Sequence, residues 1–342
     1  MSWLFEPGFF ASPQVHTALA IGGVVSVVTA VVGVFTVIRG QSFAGHALTD
    51  ASATGGSGTL LIGINPLLGF VAGAVAGAGA MEAIGVRHVR GRDLATGIVL
   101  GASIGLASLF LYLTTSTSAT TGATQQILFG SIFVTTSSTV PLVATFSVIS
   151  LMIVAVIYRP LVMSSVDTDM AVARGVPTRF VGIAYMLALS LAVGLSSLAI
   201  GAILSTALLI GPAAASLRLT KRMGWAIVVA CALGVGATWL GVLLAYDSAD
   251  WGSGHDALPV SFFIVAIVFV TYLFSGLVGR RTGGMRRGEV VGRGEVVGHG
   301  EVVRDGEVVG LREVVRLREM RYNELIMEKM ALHGSSHESG ED

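Results

Sequence analysis

Two side chains near the N-terminus, His46 and Asp50, stand four residues apart in the stretch Gln41 to Gly58, QSFAGHALTDASATGGSG, between two long apolar runs. On a helix that spacing sets both side chains on one face, one turn apart. An imidazole nitrogen and a carboxylate oxygen both ligate divalent metal ions. Ionisable groups inside an apolar span mark functional sites. A plainer reading stands beside this one. His46 is neutral and bonded to a helix neighbour, and Asp50 sits near the interface, because the pair lies only about 7 to 14 Å along the helix from Gln41. A tetrahedral ion wants about four ligands, so two cannot close a site. A twofold dimer would bring four from two identical helices. The following run, Thr54-Gly55-Gly56-Ser57-Gly58, is poor helix material and predicts a helix that loosens there.

Other polar groups are fewer and weaker. Glu82 is a turn from Arg87, which reads as a paired or snorkelling carboxylate. Asp250, His255 and Asp256 fall in a hydrophilic loop, either an entry funnel for cations or a solvated connection. Between Ser164 and Phe180 the chain reads SSVDTDMAVARGVPTRF. Asp167, Asp169, Ala171 and Ala173 predict a short helix that Gly175 ends, with Pro177 following. Such a helix between spans suggests a docking element. No G-x-x-x-x-G-K-[ST] occurs, so no P-loop binds ATP here. No Ser/His/Asp or Cys/His set sits in a coherent soluble domain, so the sequence predicts neither an enzyme nor a permanently bound cofactor. The lone cysteine, Cys231, lies in an apolar run and reads as a core residue.

The elements that position these groups follow from composition. Of 342 residues, 53% are hydrophobic and 12% charged, with mean hydropathy +0.79. A soluble protein carries roughly 25% charged residues. The formal net charge is zero, which gives no nucleic-acid footprint. Apolar runs long enough to cross about 30 Å of hydrocarbon occur near Thr17–Ile38, Ser42–Ile62, Pro66–Val86, Leu94–Thr115, Val140–Tyr158, Phe180–Ile200, Gly201–Leu217, Trp225–Tyr246 and Val260–Val278. The expected fold is an all-α polytopic transmembrane bundle of about eight or nine spans. Phe180–Leu217 reads either as two short crossings with a tight turn or as one crossing and a re-entrant piece. Gln125–Thr139 is too short to cross and reads as an interfacial or re-entrant helix.

Basic residues at Arg39, Arg87, Arg159, Arg174, Arg218, Lys221 and Arg280 alternate with loops that hold almost none. They assign those loops to the cytoplasm. Residues 1–16 form an N-terminal interfacial segment, 17–280 the transmembrane domain and 281–342 a cytoplasmic tail. From Glu289 a unit like EVVGRG recurs every six residues. A left-handed β-helix needs more than about two coils and its caps, so the tail reads as flexible or partly helical. Leu311, Val314, Val315, Tyr322, Leu325, Ile326 and Met330 approximate one helical face.

Three stretches resemble the permease of the metal-ion (zinc, manganese or iron) family of ABC importers. Arg39–Ala51, RGQSFAGHALTDA, is similar to that family's opening motif, with acidic residue and histidine in exchanged order. Asp169–Val176, DMAVARGV, is similar to its Asp-x-x-Ala-x-x-Gly-Val/Ile loop. Gly201–Ala215, GAILSTALLIGPAAA, with Gly201 and Pro212, is similar to its helix-packing motif and is the most specific. The resemblance spans about Thr17–Val278. It implies a multi-pass cell-membrane permease that imports a divalent metal ion, forms a homodimer in lipid, and works with a cytoplasmic ABC ATPase and an extracytoplasmic metal-binding protein. It makes His46 and Asp50 the metal residues, and Asp169, Ala171, Gly175 and Val176 the ATPase-coupling loop. Two alternatives remain on the residues. One is an ABC permease for an iron chelate or cobalamin, with a wider path. The other is an ion-coupled secondary transporter in which His46 and Asp50 relay protons.

The repeat tail lies outside the resembling region and has the composition of a linker. Truncation after Arg287 is expected to leave uptake largely intact. Loss of all uptake with normal membrane insertion contradicts this.

Overall fold

The computed structural model describes residues 12–84, 89–118, 122–130, 132–133, 137–220, 222–248, 258–284, 301–304 and 307–310. The chain divides into two units, Met1–Gly279 and Arg280–Asp342. Among the described residues of the first, eleven α-helices follow in order: α1 Pro13–Ile38, α2 Ser42–Leu61, α3 Pro66–Ile84, α4 Val89–Ser118, α5 Ala123–Phe129, α6 Val140–Val166, α7 Thr168–Ala173, α8 Thr178–Ile200, α9 Ala202–Leu219, α10 Met223–Asp247 and α11 Val260–Gly284, which runs just past the unit's end. Each of the nine apolar runs falls on one long helix. Eight are long and apolar enough to cross a membrane. The ninth, α2, falls short because its Ser, Thr, His and Asp residues dilute its apolar ones.

Helix α2 nevertheless stands inside the bundle, packed on α3, α4, α8 and α9. Its glycine run does not loosen it; the helix continues to Leu61, contrary to expectation. Two local causes are visible. Thr49, Thr54, Ser57 and Thr59 each turn a hydroxyl back to the carbonyl four residues earlier, which satisfies those hydroxyls without leaving the helix. The glycines, meanwhile, form the seam with α3. A Cβ on Gly55 would stand 2.0 Å from the Gly69 carbonyl, and one on Gly73 would stand 2.3 Å from the Ala51 carbonyl. Gly69, Gly73 and Gly77 are spaced four apart, the small-residue pattern that lets two membrane helices meet backbone to backbone.

Elsewhere the helices are joined by apolar packing and a few buried hydroxyls. Ser26 and Thr238 link α1 to α10 at 2.6 Å. Ser150 donates to the Ala188 carbonyl, joining α6 to α8. The Tyr185 hydroxyl of α8 is 2.7 Å from Thr36 and donates to the Val32 carbonyl of α1. Such bonds contribute about 0.6 kcal/mol each in membrane bundles.

The Phe180–Leu217 stretch is two helices with a break at Gly201. Gln125–Thr139 contributes α5, whose end Gly130 lies against that break. Gly130 (φ 89°, ψ 167°) and Gly201 (φ 87°, ψ 157°) both occupy a backbone region essentially closed to other residues. They also touch. A Cβ on Gly201 would meet the Leu128 carbonyl at 2.2 Å, and one on Gly130 would meet the Ala199 carbonyl at 2.6 Å. Phe129 and its neighbours thus cross over the α8–α9 joint as bare backbone.

In the second unit, β1 Glu301–Arg304 pairs antiparallel with β2 Glu307–Gly310, Val302 opposite Val309 and Val303 opposite Val308. The repeat was expected to be flexible or helical. Paired β-branched valines favour a strand instead. The helical face expected from Leu311 on lies outside the described residues.

Replacing Gly201 by Ala forces a strained backbone and a collision with a carbonyl that cannot rotate away. The expected loss of stability is about 3 kcal/mol or more, read from thermal unfolding in detergent. Gly224→Ala, where a Cβ meets nothing within 4 Å, should melt like the parent. Equal melting of both variants contradicts the crossing's role.

Candidate functional site

On α2, His46 Nε2 and Asp50 Oδ2 face each other at 4.0 Å. The His46 side chain is 47% exposed and that of Asp50 20%. Donors on one tetrahedral ion with bonds of about 2.1 Å stand about 3.4 Å apart, so a small approach of the two side chains lets one ion touch both. On its other side the His46 ring meets α9: Nδ1 is 3.2 Å from the Thr206 hydroxyl. With Nδ1 held there, Nε2 is the nitrogen turned toward Asp50. A hydroxyl holding the far nitrogen of a metal-binding imidazole fixes its ring orientation.

Thr206 opens a line of hydroxyls running into the bundle. Its Oγ1 is 3.5 Å from Thr49, Ser205 donates to Thr49 at 3.2 Å, and Ser197 of α8 donates to Ser205 at 3.5 Å. The bond to Thr206 also sets the depth of the site. Thr206 precedes Arg218, the basic residue in the last turn of α9, by twelve residues, about 18 Å at the helical rise. Thr206 thus stands farther from Arg218 along α9 than His46 stands from Gln41 along α2.

The pair is open on the side away from α9. Among the described residues, no group of three or more His, Cys, Asp or Glu side chains gathers to hold a metal ion. One chain thus presents two ligand types on an exposed face and no closed cage. Glu82 is half-buried near the end of α3; its expected partner Arg87 lies outside the described residues, as do Asp250, His255 and Asp256. Cys231 is half-buried, with Sγ 3.9 Å from the Val27 carbonyl.

The loop that suggested docking forms as a capped turn of helix. Asp167 accepts a hydrogen bond from the Met170 N–H, capping the start of α7. Asp169 lies exposed in the first turn. At the other end, Val176 N–H reaches the Ala171 carbonyl at 3.0 Å and Gly175 N–H the Val172 carbonyl at 2.9 Å. This pair of bonds is the Schellman closure, and it needs the left-handed backbone that Gly175 adopts (φ 77°). Ala171 is fully buried, so α7 is seated on the bundle, while Met170 and Val172 point outward, each half exposed.

Gly201 sits at the α8–α9 break, and Pro212 is buried inside α9. Sequence reasoning did not find Thr206, Thr49 or Ser205. They lie in apolar, small-residue runs where a hydroxyl carries no periodic signal, and only the approach of α9 to α2 gives them a role.

Comparison with known proteins follows this geometry. Residues 12–275 match the model of the ABC 3 transport family. The manganese transport system membrane protein MntC of Listeria monocytogenes is 29% identical over 275 residues, 80% of this chain and 94% of that one. The manganese import system permease protein ScaB of Streptococcus gordonii is 27% identical over 259 residues, 74% of this chain and 90% of that one. Among solved structures, PsaBC from Streptococcus pneumoniae in complex with Fab superposes with a TM-score of 0.70 at 22% identity, covering 82% of this chain and 97% of that one; at that identity the likeness concerns the fold. With eight helices among the described residues long and apolar enough to cross a membrane, this chain is a multi-pass protein of the cell membrane, and it belongs to the ABC 3 transport family.

Proposed function

We propose that this chain is the permease subunit of an ABC importer for divalent metal ions, manganese or zinc, and that His46 and Asp50 line the passage. The observation that carries this reading is the facing pair on α2, two ligand types 4.0 Å apart on an open face of a helix otherwise enclosed in the bundle. Relatives named for manganese transport support the choice of cargo. A second copy of the chain, related by a twofold axis, would set two imidazoles and two carboxylates around the ion. They replace part of its water shell and hold it loosely enough to release. The metal is cargo and stays with neither subunit.

ATP is hydrolysed on a separate cytoplasmic chain that docks on α7 through Met170 and Val172, and an extracytoplasmic protein delivers the ion. Closure of the ATPase dimer tilts the two permeases and opens the passage inward. A wider path for a chelate has no use for a half-buried carboxylate beside an imidazole, and a proton relay has no use for a seated docking helix.

Docking has its own test. At Gly175 no atom lies within 4 Å of an added Cβ, so Gly175→Trp acts first through the left-handed backbone, which disfavours any side chain. The variant is expected to lose the ATPase chain on co-purification while the permease stays folded. Unchanged assembly and uptake contradict the assignment of this loop.

For the pair itself, uptake in vesicles at matched expression is the measurement. Asp50→Asn keeps shape and removes charge; His46→Ala removes the nitrogen. Each is expected to lower manganese uptake by about tenfold or more with the fold intact. The double exchange, His46→Asp with Asp50→His, preserves the ligand set and should retain more uptake than His46→Ala or Asp50→Ala alone. Full rates in both Asp50→Asn and His46→Ala remove the pair from the mechanism.

A further inference from the structure

Arg39 closes α1 three residues before α2 begins. Its backbone N–H bonds the Phe35 carbonyl, and its side chain leaves the helix for two others. Nη1 donates to Ser164 Oγ at 3.1 Å and to Ser165 Oγ at 3.3 Å, both in the last turn of α6. The guanidinium carbon stands 5.3 Å from the centre of the Tyr185 ring on α8, within range of a cation–π attraction. Tyr185 is fully buried and is itself tied to α1 through Thr36 and the Val32 carbonyl. One side chain thus joins the turn between α1 and α2 to the joint between α6 and α7.

What lies at the two ends gives this joint its meaning. Beyond Ser165 come Val166 and Asp167, the residue that caps α7. Beyond Arg39 come Gly40, in the left-handed region, and Gln41, whose N–H bonds the Thr36 carbonyl; then α2 begins, with His46 in its second turn. Helix α2 packs mainly on α3 and α4, and it meets α1 little beyond this turn. A displacement of α7 therefore has a short polar route to the start of α2. A guanidinium suits it, because one Nη donates to both hydroxyls while the flat group lies over the Tyr185 ring.

We propose that Arg39 is a positioning residue for transport: a latch that carries movement of α7 into α2 and so moves the metal pair when the ATPase closes. The proposal rests on the reading of α7 as the docking helix. It requires the latch to have two arrangements, engaged and released, each favoured by one state of the ATPase.

The test removes the far end of the latch and leaves α1 untouched. Ser164→Ala with Ser165→Ala deletes only two hydroxyls and keeps the Arg39 side chain, so the fold is retained. The full complex is placed in liposomes, and ATP hydrolysis and manganese uptake are measured together. Uptake per ATP hydrolysed is expected to fall about fivefold or more, with hydrolysis near the parent rate and the ATPase chain still bound. Arg39→Lys, which keeps the charge but not the flat group over Tyr185, should show the same split. An unchanged ratio overturns the proposal. So does a parallel loss of uptake, hydrolysis and thermal stability, which is what a structural bond alone would give. Docking is read separately, by co-purification with Met170→Glu on the outward face of α7. If that variant keeps the ATPase bound, the docking assignment fails and the latch fails with it. If it releases the ATPase while the serine pair leaves the ratio unchanged, docking stands and only the latch is lost.

Discussion

Everything in this bundle depends on one close contact, the meeting of α2 and α3 as bare backbone at Gly55, Gly69 and Gly73. A helix carrying a histidine, an aspartate and so many hydroxyls gains little from facing lipid. Its apolar side chains are too few to hold it inside by packing alone. Backbone contact supplies dispersion attraction over a continuous seam. Thr49, Thr54, Ser57 and Thr59 fold their hydroxyls back onto their own helix. Glycine in the middle of a helix usually weakens it by roughly 1 kcal/mol. Here the same residues are what allow the helix to be enclosed.

Enclosure on one side defines exposure on the other. Helices α3, α4 and α8 cover most of α2, and α9 covers part of the remainder through Thr206 and Leu209. What stays open is the strip that carries His46 and Asp50. The site is therefore less a pocket than an uncovered margin of a buried helix, with its ligands braced from behind by hydroxyls of α9. That geometry suits a passing ion, which needs ligands on a wall and room to leave.

Much of this was legible in the sequence, and the reasons for success and failure are physical. The spans were legible because hydrocarbon imposes one length and one composition on every crossing. Gly175 was legible as a helix end because the Schellman closure depends on a local backbone conformation that glycine adopts at little cost. His46 and Asp50 were legible because charge is rare in such runs. The continuation of α2 through Gly58 was not, since local propensity argued against it and the answer lay on α3, in glycines read only as generic packing residues. Thr206 was hidden for a related reason: its role comes from a neighbour 160 positions away. The pairing of Glu301–Arg304 with Glu307–Gly310 was not legible, because a six-residue period points to stacked coils and simple pairing leaves no period of its own.

The crossing of Gly130 over Gly201 bears on how this chain tolerates change. Most tight contacts in a protein pit one side chain against another, so enlarging one can be compensated by shrinking its partner. Here each glycine faces main-chain atoms: Leu128 and Phe129 on one side, Ala199 and Ile200 on the other. Main chain has nothing to shrink. Two positions far apart in the sequence are thus fixed in residue type together, and no second-site substitution of a side chain can free either one. A random library of this permease should return suppressors for many damaged contacts, and at these two positions only reversion.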